Sequence, residues 1–304
     1  MANQFKNVAV LMGGTSSERK VSLISGGAVV MGLNDAGYHV TPVTLDADSI
    51  ENVLPANADV VFIALHGGYG ENGGIQADLD KKGIPYTGSG AAASRLAMDK
   101  IACKGVFVDA KLATPEYEVL GLGQVMTSLP LPLVVKPPCD GSSVGVFKVA
   151  QNKDWGVALR KARRMDRQGL VLVEKYVEGR EWTVSVLNGE ALPVIEIQAP
   201  DGWYGYQAKY TAGMTQYVFP DESDLTKKAQ KAAVEAYKAI GCRGAARVDF
   251  RVAEDGGLFV LEVNTIPGFT PTSLLPKAAL NAGISFTELC EKILSKAVFD
   301  KVVA

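Results

Sequence analysis

Four residues near the C-terminal end of the chain have the types and spacing that chemistry requires: Asp249, Glu262, Asn264 and Arg247. Between them lie Asp255 and Gly256, a dipeptide that strongly favours a two-residue β-hairpin turn. Such a turn pairs the two carboxylates with each other and the guanidinium with the amide. Because side chains alternate along a strand, all four share one face. The other face would pack into a core through Val248, Phe250, Val252, Phe259, Leu261 and Val263.

A face with two carboxylates and an amide offers oxygen ligands only, which suits Mg²⁺. Asp249, Glu262 and Asn264 are therefore the predicted metal ligands, and Asn264 leads directly toward Pro267 and Gly268. The alternative is a solvated hairpin face with cross-strand ion pairs. The convergence of the ligands favours the metal.

A glycine- and serine-rich loop at 140–146 connects two predicted strands, and Lys136 ends the first of them. Backbone N–H groups in such a loop can hold phosphate oxygens, and a lysine adds positive charge. The alternative is an ordinary tight connection. Lys100 is a weaker candidate, because a solvated helical lysine has the same sequence appearance.

Glu174, Lys175 and Val177 close another predicted strand, and Glu181 follows shortly after. A strand edge followed by carboxylates can bind an adenine amino group and ribose hydroxyls, but a surface Glu/Lys pair looks identical. The chain has no GxxxxGK[ST] sequence, which excludes a P-loop. A GxGxxG sequence at 68–73 lacks a convincing βαβ unit and is weak evidence for a dinucleotide site.

Composition narrows the class of protein. The chain has 304 residues, 47% of them hydrophobic, which predicts two or three domains with large cores. A net charge of −2 argues against nucleic acid as the main partner. Four scattered cysteines indicate reduced thiols, and no apolar run is long enough to span a bilayer. We expect a soluble cytoplasmic protein with no membrane association.

The first third of the chain alternates predicted strands (7–12, 40–45, 59–65 and 84–87) with a helix at 21–36. This order implies a parallel sheet, whose ligands lie beyond the carboxyl ends of its strands. The loops 13–19 and 66–74 therefore carry candidate residues, among them Glu18 and His66. Each has a structural alternative: Glu18 can be a helix-start carboxylate, and a lone histidine is usually structural.

The remaining elements predict a mixed α and β arrangement. Helices are expected at 91–110, 154–165, 225–240 and 286–298. Strands are expected at 116–120, 131–136, 144–149, 171–176, 182–187 and 191–198. Asn188 and Gly189 signal a second hairpin, and 200–216 is a long polar and aromatic loop of the kind that is usually functional or mobile.

Taken in order, these pieces resemble the ATP-grasp superfamily and, within it, the D-alanine–D-alanine ligase family. The matching segments are 13–22, 65–67, 84–90, 98–100, 135–137, 141–145, 209–210, 247–250 and 262–268. The resemblance implies an α/β fold, with an N-terminal parallel-sheet (Rossmann-like) domain followed by a two-lobed ATP-grasp fold. The implied domains are 1–90 for substrate, 91–178 as the central lobe, and 179–304 as the C-terminal lobe with the metal site.

The resemblance also implies a reaction, in which D-alanine is phosphorylated by ATP and the resulting acyl phosphate is captured by a second D-alanine. Phosphates would contact Lys100, Lys136 and the loop with Ser142 and Ser143. Adenine would be framed by Glu174, Lys175 and Val177, and the ribose by Glu181. Two Mg²⁺ ions, replaceable by Mn²⁺, would bind Asp249, Glu262 and Asn264. Candidate oxyanion donors are Arg247 and the Gly268 N–H.

Substrate positions follow from the same resemblance. Glu18 would bind the first ammonium group, His66 would lie on the substrate side, and Ser273 and Leu274 would hold the second carboxylate. A lid with Lys209 and Tyr210 would exclude water, with Tyr210 reaching toward Ser143 and Glu18 and favouring an amine nucleophile. The expected setting is peptidoglycan precursor synthesis by a homodimer. The alternatives are another carboxylate–amine ligase, a D-alanine–D-lactate ligase, or a nucleotide-binding regulatory module.

Overall fold

The computed structural model describes residues 5–139, 141, 143–205, 208 and 213–301. Its first unit is a parallel sheet in the order β2-β1-β3. The elements are β1 (Asn7–Gly13), α1 (Arg19–Asp35), β2 (His39–Leu45), β3 (Val60–Ile63) and α2 (Gly74–Lys82). The parallel sheet is confirmed. Of the strand predicted at 84–87, only Tyr86 pairs, through isolated bridges to Val61 and Val298.

The second unit is an antiparallel sheet in the order β4-β7-β5-β6 with one helix against it. Its elements are β4 (Tyr117–Leu120), β5 (Leu133–Lys136), β6 (Phe147–Val149), α5 (Asn152–Arg163) and β7 (Val171–Lys175). Lys136 ends β5 as predicted, and the glycine-rich loop leads from there to β6. The strand predicted at 144–149 is shorter, because the loop occupies its first half.

The third unit is an antiparallel sheet in the order β11-β10-β8-β12-β13, with β9 paired to β8. The strands are β8 (Arg180–Leu187), β9 (Glu190–Ala191), β10 (Ile195–Gln198), β11 (Gln216–Val218), β12 (Ala245–Val252) and β13 (Leu258–Asn264). The helices are α6 (Asp224–Ile240), α7 (Leu274–Asn281) and α8 (Phe286–Leu294). Positive φ at Asn188 and Gly189 confirms the β8–β9 hairpin turn.

The single helix predicted at 91–110 is wrong: two helices, α3 (Ala91–Met98) and α4 (Lys100–Asp109), meet at Asp99. Asp99 is extended, with ψ 99°, and its carboxylate accepts hydrogen bonds from the N–H groups of Ile101 and Ala102. It is therefore an N-cap, which competes with helix continuation. This break puts Lys100 on the first turn of α4. Both helices pack into the core of the third sheet.

The β12–β13 hairpin has the predicted pairs Arg247–Asn264 and Asp249–Glu262, but for a different reason. Its loop has three residues, because Ala253 pairs with Gly257, and a β-bulge then restores the register between Asp249 and Phe250. The predicted core face is consequently wrong on β13. Leu258 and Val260 are buried there, and Phe259 and Leu261 are only partly buried.

Local signals mark the ends of some helices, with glycine C-caps after α2 and α6. α6 begins with a capping box formed by Ser223 and Thr226 and ends at Gly241 with φ 80°. α2, α7 and β11 were not predicted. Within the ranges given above, no helix is both long enough and apolar enough to cross a lipid bilayer.

Candidate active site

Two adjoining cavities, of about 760 and 90 Å³, contain every predicted site residue that the structure describes. Lys100, Tyr204 and Glu262 line both. The larger cavity adds Glu18, His66, Arg247, Asn264, Gly268, Ser273 and Leu274. The smaller one adds Lys136, Ser143, Glu174, Lys175, Val177, Glu181 and Asp249. Ser142, Lys209 and Tyr210 lie outside the described residues.

The hairpin face between the cavities is a fixed charge cluster. Arg247 donates two parallel hydrogen bonds to Asp249, Nε to Oδ1 and Nη2 to Oδ2, each 2.9 Å long. Thr183 donates a third to Oδ1 at 2.6 Å. Burial by itself would lower the pKa of Arg247, but the charge and hydrogen bonds of Asp249 outweigh it and raise that pKa. Arg247 therefore stays charged.

The same face fits Mg²⁺ by the chemistry of its donors. Asp249 is nearly buried, and the Glu262 carboxylate lies 3.7 Å from Lys100 Nζ with a third of its side chain exposed. Asn264 Oδ1 accepts the Ile266 N–H at 2.9 Å and keeps a second lone pair. Across the described ranges, no group of three or more His, Cys, Asp or Glu side chains could hold a metal. Two carboxylates and an amide would need phosphate or water oxygens to complete a shell, as is usual for Mg²⁺.

Behind the smaller cavity, two buried lysines enclose one buried carboxylate. Lys136 Nζ is 2.5 Å from Glu174 Oε2, and Lys104, fully buried on α4, contacts Glu174 Oε1 and Thr114. Burial raises the pKa of Glu174, but the charges of Lys136 and Lys104 outweigh burial and lower it. Burial lowers the pKa of Lys104. The carboxylate thus fixes Lys136 at the end of β5.

Replacing Glu174 with Gln should lower the free energy of unfolding by about 3–5 kcal/mol, because two buried lysines would lose their shared anion. Urea denaturation measures this loss. Glu178→Gln is the matched control, since Glu178 is exposed on the connection after β7. A Glu174→Gln protein within about 0.5 kcal/mol of the wild type would show that the cluster adds no stability.

Glu18 lies at the N-cap of α1 without a side-chain capping hydrogen bond. Its carboxylate instead lies against the loop at Gly67, where an added Cβ would come within 2.8 Å of Glu18 Oε2. Gly67 has φ 69°, a conformation that favours glycine. Both predicted loops beyond the parallel strands therefore border the larger cavity.

His66 is buried at 4% exposure and belongs to a polar chain that reaches the other side of the cavity. Its Nε2 is 2.9 Å from Ser25 Oγ, which also accepts the Phe269 N–H at 3.2 Å. Its Nδ1 is 3.6 Å from Glu71 Oε1. The histidine therefore helps to fix the backbone next to Gly268.

The segment after β13 turns tightly into α7. A Cβ at Gly268 would lie 2.6 Å from Ser273 Oγ, so only glycine fits there without a shift. Ser273 is the N-cap of α7 but makes no side-chain capping bond, and its hydroxyl bonds with Thr270 instead. The helix N-terminus at Leu274 faces the larger cavity and can accept an anionic group.

Two cavity residues, Arg251 and Tyr204, and the buried Lys104 that contacts Glu174 were missed by the sequence reasoning. Arg251 follows the alternation of Arg247 and Asp249, so period-two counting could have found it. Lys104 looks like any helical lysine. Tyr204 lies in the long loop, with its hydroxyl 3.0 Å from that of Tyr217.

The GxGxxG segment serves packing in this structure. A Cβ at Gly70 would lie 2.5 Å from the Leu65 side chain, and one at Gly73 would lie 2.4 Å from the Ala91 carbonyl oxygen. Gly73 is also left-handed, with φ 85°. These glycines permit close contacts between backbone segments.

Comparison with family models gives two matches. The model described as "D-ala D-ala ligase C-terminus" matches residues 109–295, and "D-ala D-ala ligase N-terminus" matches residues 46–89. The chain is 47% identical over 302 residues to a D-alanine–D-alanine ligase of Syntrophotalea carbinolica, which covers 98% of both chains. It is 44% identical to that of Geotalea uraniireducens, which covers 96% of both.

Solved structures of related ligases share the fold of this chain. A D-alanine–D-alanine ligase from Bacillus anthracis complexed with ATP superposes with a TM-score of 0.84 at 34% identity, covering 96% of this chain and 97% of that one. The VanG D-Ala:D-Ser ligase from Enterococcus faecalis gives 0.83 at 28% identity, covering 96% and 99%.

Proposed function

The chain belongs to the D-alanine–D-alanine ligase family, and from that premise we propose how its residues share the work of the reaction. The enzyme joins two D-alanine molecules into D-alanyl-D-alanine, converts ATP to ADP and phosphate, and requires Mg²⁺. The predicted fold class, an N-terminal parallel-sheet domain followed by a two-lobed ATP-grasp fold, is confirmed.

One observation carries the proposed division of roles: the charged face of the β12–β13 hairpin lies between the two cavities. Glu262 and Lys100 line both of them. A phosphoryl group that passes from a nucleotide in the smaller cavity to a carboxylate in the larger one would cross this face. The smaller cavity is therefore assigned to ATP and the larger to D-alanine.

The first step is attack of the first D-alanine carboxylate on the γ-phosphorus, which forms an acyl phosphate and releases ADP. Lys100, Lys136 and the loop with Ser142 and Ser143 hold the phosphates. Two Mg²⁺ ions, held by Asp249, Glu262 and Asn264, supply charge neutralisation for phosphoryl transfer when bound. The fixed position of Lys136 beside Glu174 supports this assignment.

The second step is attack of the second D-alanine amine on the acyl carbonyl. A C–N bond forms, the amine loses a proton, and the C–O bond to phosphate breaks. The tetrahedral intermediate carries an oxyanion, which needs donors that are already in position. Arg247 and the Gly268 N–H serve as those donors, and the clamp between Arg247 and Asp249 keeps the guanidinium in place.

Substrate positions complete the proposal. Glu18 binds the first ammonium group, with His66 on the same side of the cavity. The second carboxylate is held by Ser273 and the Leu274 N–H at the start of α7. Adenine is framed by Glu174, Lys175 and Val177, and the ribose is bound by Glu181. Lys209 and Tyr210 form the lid that excludes water, with Tyr210 acting toward Ser143 and Glu18.

We further propose a cytoplasmic homodimer that works in peptidoglycan precursor synthesis, independent of nucleic acid and membrane. The division into 1–90, 91–178 and 179–304 stays a prediction. Light scattering on the purified protein tests the dimer.

The function is tested by ADP release from MgATP with D-alanine, L-alanine, D-alanine plus D-lactate, or D-alanine plus D-serine, with products identified by mass. Release with D-alanine alone, yielding the dipeptide, is the expected result. A depsipeptide with D-lactate or a preferred D-Ala-D-Ser product would reassign the second substrate. ATP binding without release in any mixture would favour another carboxylate–amine pair or the regulatory module.

A further inference from the structure

Arg251 is the third charged residue that β12 places on the hairpin face, after Arg247 and Asp249, and no step above uses it. Only 6% of it is exposed, although guanidinium is always charged in proteins. A buried charge is costly unless it is fully paired, so its partners indicate what the residue is there to hold.

Those partners lie on two segments that border the smaller cavity. Nε donates to the Val177 carbonyl oxygen at 3.0 Å, and Nη2 donates to the Gly179 carbonyl oxygen at 2.9 Å and to the Tyr176 hydroxyl at 3.0 Å. Nη1 donates to the Gly202 carbonyl oxygen at 3.3 Å. One side chain therefore ties the β7–β8 connection and the start of the long loop to β12.

Arg251 also faces the carboxylate assigned to the ribose. Its Nη1 lies 3.5 Å from Glu181 Oε2, and both residues line the smaller cavity with Val177 and Trp203. The connection is close-packed as well: a Cβ at Gly179 would lie 2.1 Å from the Val252 carbonyl oxygen, and Gly179 has φ 127°. The cavity wall that would contact the nucleoside is thus set by one guanidinium.

We propose that Arg251 is a positioning residue that fixes the β7–β8 connection and Glu181, and thereby determines how tightly this enzyme binds the ribose of its nucleotide. The inference rests on the proposed assignment of the smaller cavity to ATP. Arg251 touches neither phosphate nor D-alanine groups in this scheme, so its effect is confined to binding of the nucleoside.

The test measures the Kd of ADP and of 2′,3′-dideoxy-ADP with Mg²⁺ by calorimetry, without D-alanine. Arg251→Met removes all donors at similar length, and Arg251→Lys keeps the charge without the fork. Arg180→Met is the matched control, because Arg180 is half exposed and pairs with Glu196 instead. Thermal midpoints and circular dichroism check the fold.

We expect Arg251→Met to weaken ADP binding about tenfold or more, because Glu181 and the β7–β8 connection are no longer held in place and must be ordered when ADP binds. The preference for ADP over the dideoxy nucleotide should fall toward one. Arg251→Lys should have an ADP affinity and a preference for ADP over the dideoxy nucleotide that lie between those of Arg251→Met and the wild type. Arg180→Met should match the wild type in both.

Two outcomes would overturn the proposal. One is a folded Arg251→Met protein with unchanged Kd values; the other is weaker ADP binding with an unchanged dideoxy preference, which a merely structural role predicts. If Arg251→Met does not fold, Arg251→Lys provides the test. A wild-type preference for ADP over 2′,3′-dideoxy-ADP in that variant would overturn the proposal. A wild-type protein that binds no ADP would instead overturn the nucleotide assignment.

Discussion

Replacement of Glu262 by Gln is expected to lower the kcat for ADP release by about 10³-fold or more while the protein stays folded. The substitution keeps the size and one oxygen but removes the negative charge that, in our proposal, helps to hold Mg²⁺. Metal stabilisation of charge in phosphoryl transfer is worth several kcal/mol, and each 1.4 kcal/mol is about tenfold in rate. Glu262 also lies 3.7 Å from Lys100 Nζ at the boundary of both cavities.

The measurement is ADP release at saturating D-alanine over a titration of MgCl₂, repeated with MnCl₂. Glu254→Gln is the matched control, because Glu254 is exposed in the loop of the same hairpin. The control should keep wild-type kcat and metal dependence. Undiminished activity in Glu262→Gln, with the control also active, would refute the metal assignment.

The predicted pairs Arg247–Asn264 and Asp249–Glu262 are correct because a longer turn and a β-bulge compensate for each other, whereas the predicted pair Glu254–Gly257 is wrong. The turn has one more residue than its Asp255–Gly256 signal indicates, and the bulge beside Asp249 takes up the difference. Turn chemistry is local, whereas the bulge lies on β13 away from the turn, and the β12–β8 register beside it is uninterrupted. Counting residues along the chain therefore finds the charged face of the hairpin but misassigns the β13 residues that pack on its core face.

Because of this bulge, the sequence pattern places Leu261 on the wrong face of the hairpin. Strict alternation assigns it to the core, yet the bulge leaves it partly buried and it lines the smaller cavity. An apolar side chain in the cavity that Val177 also lines suits a purine ring. Neither the spacing nor the residue type predicts this, because the shift of face is decided by one unpaired residue.

Buried charge was the other limit of sequence reasoning. Lys104 and Arg251 have the appearance of surface residues, and only the packing of distant segments buries them. Lys104 on α4 contacts Glu174, which lies on β7 of the second sheet. Arg251 on β12 of the third sheet donates a hydrogen bond to the carbonyl oxygen of Val177, just after β7. Residues with a local or motif signal, such as Lys136 and Asp249, could be predicted from the sequence to lie together at the cavity; residues whose partners are remote in sequence could not.

Replacement of Arg247 by Lys is expected to lower dipeptide formation by about 10²- to 10³-fold, the usual effect of removing one donor from an oxyanion site. Lysine keeps a positive charge beside Asp249 but cannot reproduce the two parallel bonds of 2.9 Å. The buried carboxylate therefore keeps a counter-ion, and the fold should survive. In the proposed role of Arg247, what is lost is a donor of fixed direction at the carbonyl that the second D-alanine attacks.

Two assays divide this effect between the steps. Dipeptide is measured by mass. The first step is followed separately by exchange of ¹⁸O between the bridge and non-bridge positions of ATP in the presence of D-alanine, because that exchange needs reversible acyl phosphate formation. If Arg247 acts on the oxyanion, exchange should persist within about tenfold of the wild type while dipeptide formation falls.

Arg243→Lys provides the matched control, since Arg243 pairs with Asp300 away from both cavities and should leave both assays unchanged. An equal fall of exchange and dipeptide in Arg247→Lys would contradict the oxyanion role. It would mean that Arg247 acts on phosphoryl transfer, because its two hydrogen bonds orient Asp249, a carboxylate that we assign to Mg²⁺. The same charged pair would then serve the first step rather than the second, and the oxyanion would depend on the Gly268 N–H.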